Sequence, residues 1–304
     1  MSAQLAPTSH LTSSISARRR ARNWLATVWM VGAVLVALVP LFFIMLQVVR
    51  KGLSIVLKNF PDFLTKPIQV QSIFAGGGMG PAVVGTILIT GVAALIAIPL
   101  GVLAAIYLNE YGGKGRFASV LRFFSDVMAG VPSVVMGLFV FTIYTLHRSN
   151  GDKLVAFGGA LSLAALMLPI VIRSTEEMLK LVPNELRSAS LALGCPRWRT
   201  TVSVVLPAAA AGIISGAMLA IARAAGETAP LLFTIGLTYS TNWRLFHNQN
   251  TTLSRQIFSN SGIGFPAATD RAWAAALTLI AIVMILSVAA RIISSRFNAV
   301  IIAS

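Results

Sequence analysis

Residues 188–213 read SASLALGCPRWRTTVSVVLPAAAAGI: a short polar helix, a Gly-Cys-Pro turn, then an uncharged run. Three residue types carry the reading. Gly194 suits the left-handed position just past a helix end, because it has no Cβ to clash there. Pro196 suits the first turn of a new helix, where a missing N–H costs nothing. Leu206-Pro207 opens a helix apolar enough to cross a bilayer, which takes roughly 20 such residues. A helical polar element with a fixed turn therefore leads straight into a membrane span, and the fold is expected to be all-α and membrane-embedded.

Composition agrees. Hydrophobic residues make up 56% of the 304 and charged residues only 11%, with a mean hydropathy of +0.82. Soluble domains carry about 25% charged residues. Six spans are predicted at 24–49, 82–108, 124–146, 156–173, 204–223 and 272–293. Pro99, Pro132, Pro169 and Pro207 fall inside or at the ends of spans, where neighbouring helices can satisfy the freed carbonyls. Residues 1–23 are Ser/Thr-rich and end in Arg18, Arg19, Arg20 and Arg22. They read as a disordered cytoplasmic tail, followed by a first transmembrane helix, 24–49, that is too long for a signal-peptide core and is expected to be retained. Trp24, Trp29 and Trp273 fit interface anchors.

Orientation follows from Lys and Arg placement. With the N-terminus inside, the cytoplasmic side holds the Arg18–Arg22 cluster, Lys114, Arg116, Arg122, Arg173, Lys180, Arg187, Arg197, Arg199, Arg291 and Arg296. Both termini are then cytoplasmic. The net charge of +15 is scattered over loops rather than gathered in one stripe. It points to topology and anionic lipid, not to nucleic acid.

The loop 173–203 is the most organised polar segment. Ser174 and Glu177 have capping-box spacing for a short helix over 175–182. Pro183 stops it, and Asn184 caps a second helix, ELRSASLAL. On spacing alone, an amphipathic loop lying on the lipid surface is an equal alternative. The pattern itself resembles the EAA loop of ABC importer permeases. Ser188-Ala189-Ser190 stand in the Glu-Ala-Ala places, Gly194 in the Gly place, and Leu206-Pro207 in the Leu-Pro place. Ser188 and Ser190 depart from the usual Glu and Ala, although Glu185 lies one turn away. The resemblance implies that the loop, 174–203, docks on a cytoplasmic ATPase and passes its motion to the membrane helices. It covers about 80–293, which the resemblance makes the permease domain, of the type I importer class.

A second stretch narrows the resemblance. RAAGETAPLLF, 223–233, sets Arg223 and Glu227 four residues apart at the end of an uncharged span. Arg is always protonated and grips an oxyanion with a planar fork. A carboxylate one turn away makes its burial tolerable. Gly226 and Pro230 predict a helix break there, with Thr228 and backbone groups able to face a cavity. Arg223 reaching out to the interface from a structural ion pair is the alternative. The segment 185–234 resembles the PstA-type subunit of phosphate-specific transport permeases. This implies inorganic phosphate as the substrate, with another oxyanion such as molybdate or sulfate as the alternative. Arg223, Glu227 and Thr228 then line the path.

The resemblance further implies a second related permease subunit, two copies of a cytoplasmic ATPase, an extracytoplasmic phosphate-binding protein, and a bacterial inner membrane. The chain is expected to carry out no bond chemistry and to hold no cofactor, with ATP and Mg used by the partner ATPase. No Walker sequence occurs, and the AGGGMG run at 75–80 lacks the Lys that a phosphate-binding loop needs. It reads as an external turn. Cys195 is the single cysteine, which excludes an internal disulfide, and His10, His147 and His247 have no metal-ligand spacing. A secondary transporter or channel with Glu227 as proton carrier is the reading from a different class. The segment 238–271 is read as an outer cap that meets the binding protein.

Overall fold

A computed structural model describes residues 17–113, 115–148 and 153–303. The first sixteen residues of the expected tail, Lys114 and the side chain of Arg296 lie outside the described residues. The chain divides into two units, residues 1–50 and 51–304.

The first unit contributes most of α1 (Ala17–Lys58). The tail therefore ends earlier than expected: residues 17–23 are already helical. Arg18, Arg19, Arg20 and Arg22 favour helix about as well as Leu does, and no breaker separates them from the apolar run. Trp24 and Trp29 are exposed, as are most of the apolar side chains that follow, Val48 excepted. With a mean hydropathy of 2.6, this surface is suited to lipid.

In the second unit the last turns of α1 pack on the start of the final helix. A Cβ on Gly52 would meet Leu277 Cβ and Trp273 O at 2.8 Å, and Lys51 Nζ sits 5.1 Å from the Trp273 ring centre. A short α2 (Asp62–Thr65) follows, then a strap over 66–79. The AGGGMG run is the expected turn: Gly76 and Gly77 have φ of 98° and 76°, a region other residues rarely enter.

Next come α3 (Gly80–Ile106) with a π turn over Tyr107–Tyr111, α4 (Arg116–Gly130), and α5 (Ser133–Val140) with a π turn over Phe141–Thr145. The expected single span 124–146 is not one helix. α4 and α5 meet at 110°, because Pro132 holds the preceding Val131 in an extended conformation (φ −72°, ψ 129°).

Helix α6 (Ala156–Leu181) runs well past the expected end at 173. The separate helix 175–182 does not exist, and Ser174 caps nothing: its hydroxyl donates to Val171 O, 3.2 Å away. No Gly or Pro interrupts 170–182, so the helix continues until Pro183. The loop expected to dock is thus one short helix, α7 (Asn184–Ala192), between two long ones. Asn184 does not cap it by its side chain, and Pro183 stands at the cap position.

Helix α8 (Arg197–Thr200), a π turn over Thr201–Val205 and α9 (Leu206–Gly226) form one continuous span, longer at both ends than 204–223. The π turn lies directly before Pro207. A proline removes one rung of the ladder and crowds the carbonyl four residues back, and widening the preceding turn accommodates both. The chain closes with α10 (Leu231–Thr234), α11 (Leu253–Ser261) and α12 (Pro266–Ala303).

Helices α3, α6 and α9 share one core. Ile89, Ala93 and Ala97 meet Ala160, Leu163, Met167 and Val171, with Ala220 and Ala224 closing the third side. Small residues let these backbones approach closely. A Cβ on Gly101, for example, would lie 2.7 Å from Val171 Cγ1. Helices α3 and α6 run parallel and α9 antiparallel to both, which gives the unit two ends. One gathers Glu110, the end of α6 and the docking helix α7. The other gathers the starts of α3 and α6, the end of α9, and α11.

Candidate functional site: a docking helix and a charged helix break

At the docking end, α7 terminates as the sequence predicts. Gly194 has φ +81°, Cys195 N donates to Ser190 O at 3.2 Å, and Gly194 N donates to Leu191 O at 3.0 Å. These are the two bonds of a Schellman cap. Ser190 is buried, and its hydroxyl lies 2.9 Å from Thr200 Oγ1. The Ser in place of the usual Ala is therefore accommodated by a partner across the turn. Glu185, Ser188 and Ala189 are exposed. Leu193 (85% exposed) and Trp198 (63%) make the outward face apolar as well. Leu206 and Pro207 are half-buried at the start of α9.

What holds α7 was missed in the sequence. Arg187 Nη2 donates to Glu110 Oε1 at 2.9 Å, and its Nε reaches both carboxylate oxygens at 3.3 Å. The same guanidinium donates to Val182 O (2.7 Å) and Leu179 O (2.8 Å). The two side chains are only 17% and 11% exposed. A lone Glu at the end of an apolar span was the available signal, yet nothing local names its partner. A cavity of about 440 Å3 lies beside the pair, with Asn109, Lys180 and Arg197 in its wall. Nearby, Glu176 ties Lys180 (2.9 Å) to Arg122 (3.5 Å), and Arg173 pairs with Asp126 at 2.6 Å.

At the opposite end, α9 stops at Gly226 and Glu227 is extended (φ −69°, ψ 132°). Arg223 Nε lies 3.7 Å from Glu227 Oε1, with side-chain exposures of 68% and 21%. The carboxylate is sheltered while the guanidinium is open. The break has little free backbone. Ser254 Oγ donates to Glu227 O at 2.9 Å, and Thr228 O accepts from Leu231 N and Leu232 N. The groups on offer are thus the side chains of Arg223, Glu227 and half-buried Thr228. Helix α5 reaches this segment through Gly137, where an added Cβ would collide with Pro230 Cα. Among the described residues, no group of three or more His, Cys, Asp or Glu could hold a metal.

Residues 97–299 match the family described as "Binding-protein-dependent transport system inner membrane component". The chain is 43% identical to "Phosphate transport system permease protein PstA 1" of Mycobacterium tuberculosis (strain ATCC 25618 / H37Rv), over 92% of this chain and 89% of that one. The chain belongs to the PstA permease family. It is also 39% identical to the Yersinia pestis PstA protein, over 91% of this chain and 92% of the relative.

Solved structures agree on the fold. A bacterial alginate ABC transporter crystallised with a pentasaccharide-bound periplasmic protein matches with a TM-score of 0.61 at 15% identity, covering 92% of this chain and 96% of that one. The inward-facing MetNI methionine ABC transporter matches at 0.56 and 16%, covering 72% and 94%. The PstA-type chain is therefore an all-α, multi-pass membrane protein of the type I ABC importer permease fold. Among the described residues, five helices are long and apolar enough to cross a membrane, and the bent α4–α5 pair makes up to six.

Proposed function

We propose that this chain is the membrane permease subunit of an ATP-driven inorganic phosphate importer and forms half of the translocation path by alternating access. The single observation that carries the reading is the continuity of α8–α9, which joins the docking helix to the charged break without interruption from Arg197 to Gly226. Movement of α7 is thereby passed along one rod to Arg223 and Glu227. Identity to phosphate permeases over nine-tenths of the chain supports phosphate over molybdate or sulfate.

In this reading the α7 end is cytoplasmic, together with both termini, in keeping with the Arg18–Arg22 cluster. A second homologous permease completes the path. Two copies of an ATPase bind ATP and Mg, and one of them takes the face formed by Glu185, Ser188, Ala189 and the turn at Gly194. An extracytoplasmic binding protein delivers phosphate to the other end, over the cap 238–271. The chain itself breaks no bond. ATP closure moves the docking helix, and the path opens outward. Phosphate meets the Arg223 guanidinium, while Glu227 holds that guanidinium until the anion arrives and Thr228 offers a hydroxyl. Hydrolysis returns the path inward.

The test is radiolabelled phosphate uptake into vesicles holding the complete importer, with and without ATP. ATP-dependent phosphate uptake that excess sulfate and molybdate fail to suppress supports the reading. Uptake driven by a proton gradient with this chain alone contradicts it.

A further inference from the structure

The end of the molecule that holds Arg223 contains a second guanidinium, and its surroundings are unusual. Arg255 lies in the first turn of α11. Its neighbour Ser254 is the residue that bonds Glu227 O. Arg255 Nε is buried and has no hydrogen-bond partner among the described residues. The residue as a whole is half-buried. Its Nη1 and Nη2 likewise make no hydrogen bond within the described residues. No carboxylate of the described residues pairs with it. Burial also lowers its pKa from the ordinary guanidinium value.

Arg271 provides the internal comparison. It is more deeply buried, has no carboxylate partner, and its Nε is likewise unpaired, but its Nη1 and Nη2 donate to Phe74 O and Ser72 O at 2.8 and 3.2 Å. Arg271 is a structural staple for the strap. Arg255 staples nothing. Its side chain bears the desolvation cost of a charge and receives no protein acceptor in return. A solvated surface arginine would leave Nε in water, and a packing residue would not need the charge.

Its platform is firm. Leu253 N donates to Thr86 Oγ1 at 2.9 Å, which locks α11 to α3. Gln256 Nε2 donates to Thr251 Oγ1 (3.1 Å), and Asn260 Nδ2 donates to Gln256 Oε1 (3.1 Å). A cap at Thr252 fixes the first turn, with Arg255 N donating to its hydroxyl at 3.3 Å. Arg255 is thus carried on a braced element whose first turn touches the break, and its guanidinium has no acceptor among the described residues.

We propose that Arg255 is a substrate-contacting residue that takes the tetrahedral oxyanion as it enters and passes it to the Arg223–Glu227 break. The inference rests on the phosphate-importer reading. An oxyanion supplies the acceptors that the Arg255 fork lacks, in the bidentate geometry that favours Arg over Lys. Ser254, the residue before Arg255, donates to the Glu227 carbonyl, so the first turn of α11 lies against the break. The anion thus exchanges one guanidinium for another without leaving polar contact.

The experiment uses the complete importer with its binding protein in vesicles and reads two quantities together: phosphate taken up, and ATP hydrolysed in response to the loaded binding protein. Arg255→Gln is expected to lower uptake on the order of tenfold to a hundredfold, the loss of one charge-assisted contact. Stimulated hydrolysis and ATPase pull-down stay near wild type, so phosphate moved per ATP falls. Arg255→Lys keeps the charge without the fork and is expected to recover part of the uptake. Wild-type uptake in Arg255→Gln overturns the proposal. So does a parallel fall of uptake, hydrolysis and pull-down in both variants, which assigns Arg255 to structure alone. If the unsubstituted importer moves sulfate or molybdate and not phosphate, the phosphate reading fails. The same ratio measured with that oxyanion then still decides the role of Arg255.

Discussion

Arg187 on the docking helix closes on Glu110 at the end of α3, 77 positions earlier in the chain, with the pair almost wholly withdrawn from solvent. Breaking such a pair from one side leaves a buried charge and costs about 3–5 kcal/mol. Glu110→Gln is therefore expected to loosen α7 while the spans remain. Binding-protein-stimulated ATP hydrolysis and uptake should fall together, and the melting midpoint of the purified chain should drop. Arg187→Lys should not rescue, because a Lys cannot make five bonds to one carboxylate and two carbonyls. Retention of full stimulation by Glu110→Gln would show that the clamp does not couple.

Gly194 tests the turn separately from the clamp. No atom lies within 4 Å of where its Cβ would be, so the whole penalty of substitution comes from its φ of +81°. For an L-residue this amounts to roughly 1–2 kcal/mol. Gly194→Val should weaken pull-down of the ATPase, whereas Gly194→Asn, which tolerates the left-handed region, should largely retain it. Equal pull-down for Val, Asn and Gly would remove the turn from the docking account.

Much of this was legible in advance, for identifiable reasons. Gly194, Pro196 and the break at Gly226 are backbone demands, and backbone demands are written locally. The bend at Pro132 and the length of α6 were not. A proline in an apolar run reads equally as a kink or a boundary, and a Ser-x-x-Glu pattern inside a strong helix imitates a cap. The Glu110–Arg187 pair and the setting of Arg255 were illegible because each depends on which helices meet. Sequence shows Arg255 as one more basic loop residue. Its place is set by α11, which is bonded to Thr86 and to Glu227 through the two residues before it.

The position of the break is set by a contact without side chains. An alanine at Gly137 would drive its Cβ into the backbone of Pro230, and overpacking of this kind costs about 1–3 kcal/mol. Gly137→Ala should displace the 227–230 segment and reduce uptake severalfold. Gly91→Ala on α3, where nothing lies within 4 Å, should transport as wild type. Indistinguishable uptake in the two variants would mean that α5 does not brace the break.

Arg271 gives a prediction of stability rather than transport. Arg271→Met leaves the carbonyls of Ser72 and Phe74 without their donors. The cost is about 1.5–3 kcal/mol for bonds to a charged group. The strap 66–79 should then be cut by added protease at a dose that spares the wild type, with α11 and α12 intact. An unchanged cleavage pattern would show that the strap is held by other contacts.

Crosslinking addresses the cap. Asn242 Nδ2 donates to His247 O at 2.8 Å, and Arg148 Nη2 donates to Phe246 O at 2.7 Å, so 242–248 is an organised surface. Photo-crosslinkers placed at Trp243 or Phe246, both exposed, should capture the loaded binding protein. Capture only from the docking end, at Leu193, would reverse the assigned orientation.

In the proposed mechanism the charged end of α9 meets the transported anion. Arg223→Gln in the complete importer tests it most directly, read as phosphate uptake beside ATPase pull-down. Arg223 is largely exposed and bonded only loosely to Glu227, so assembly should be unaffected. Uptake should fall to background with pull-down at the wild-type level. Phosphate uptake at the wild-type rate would contradict it.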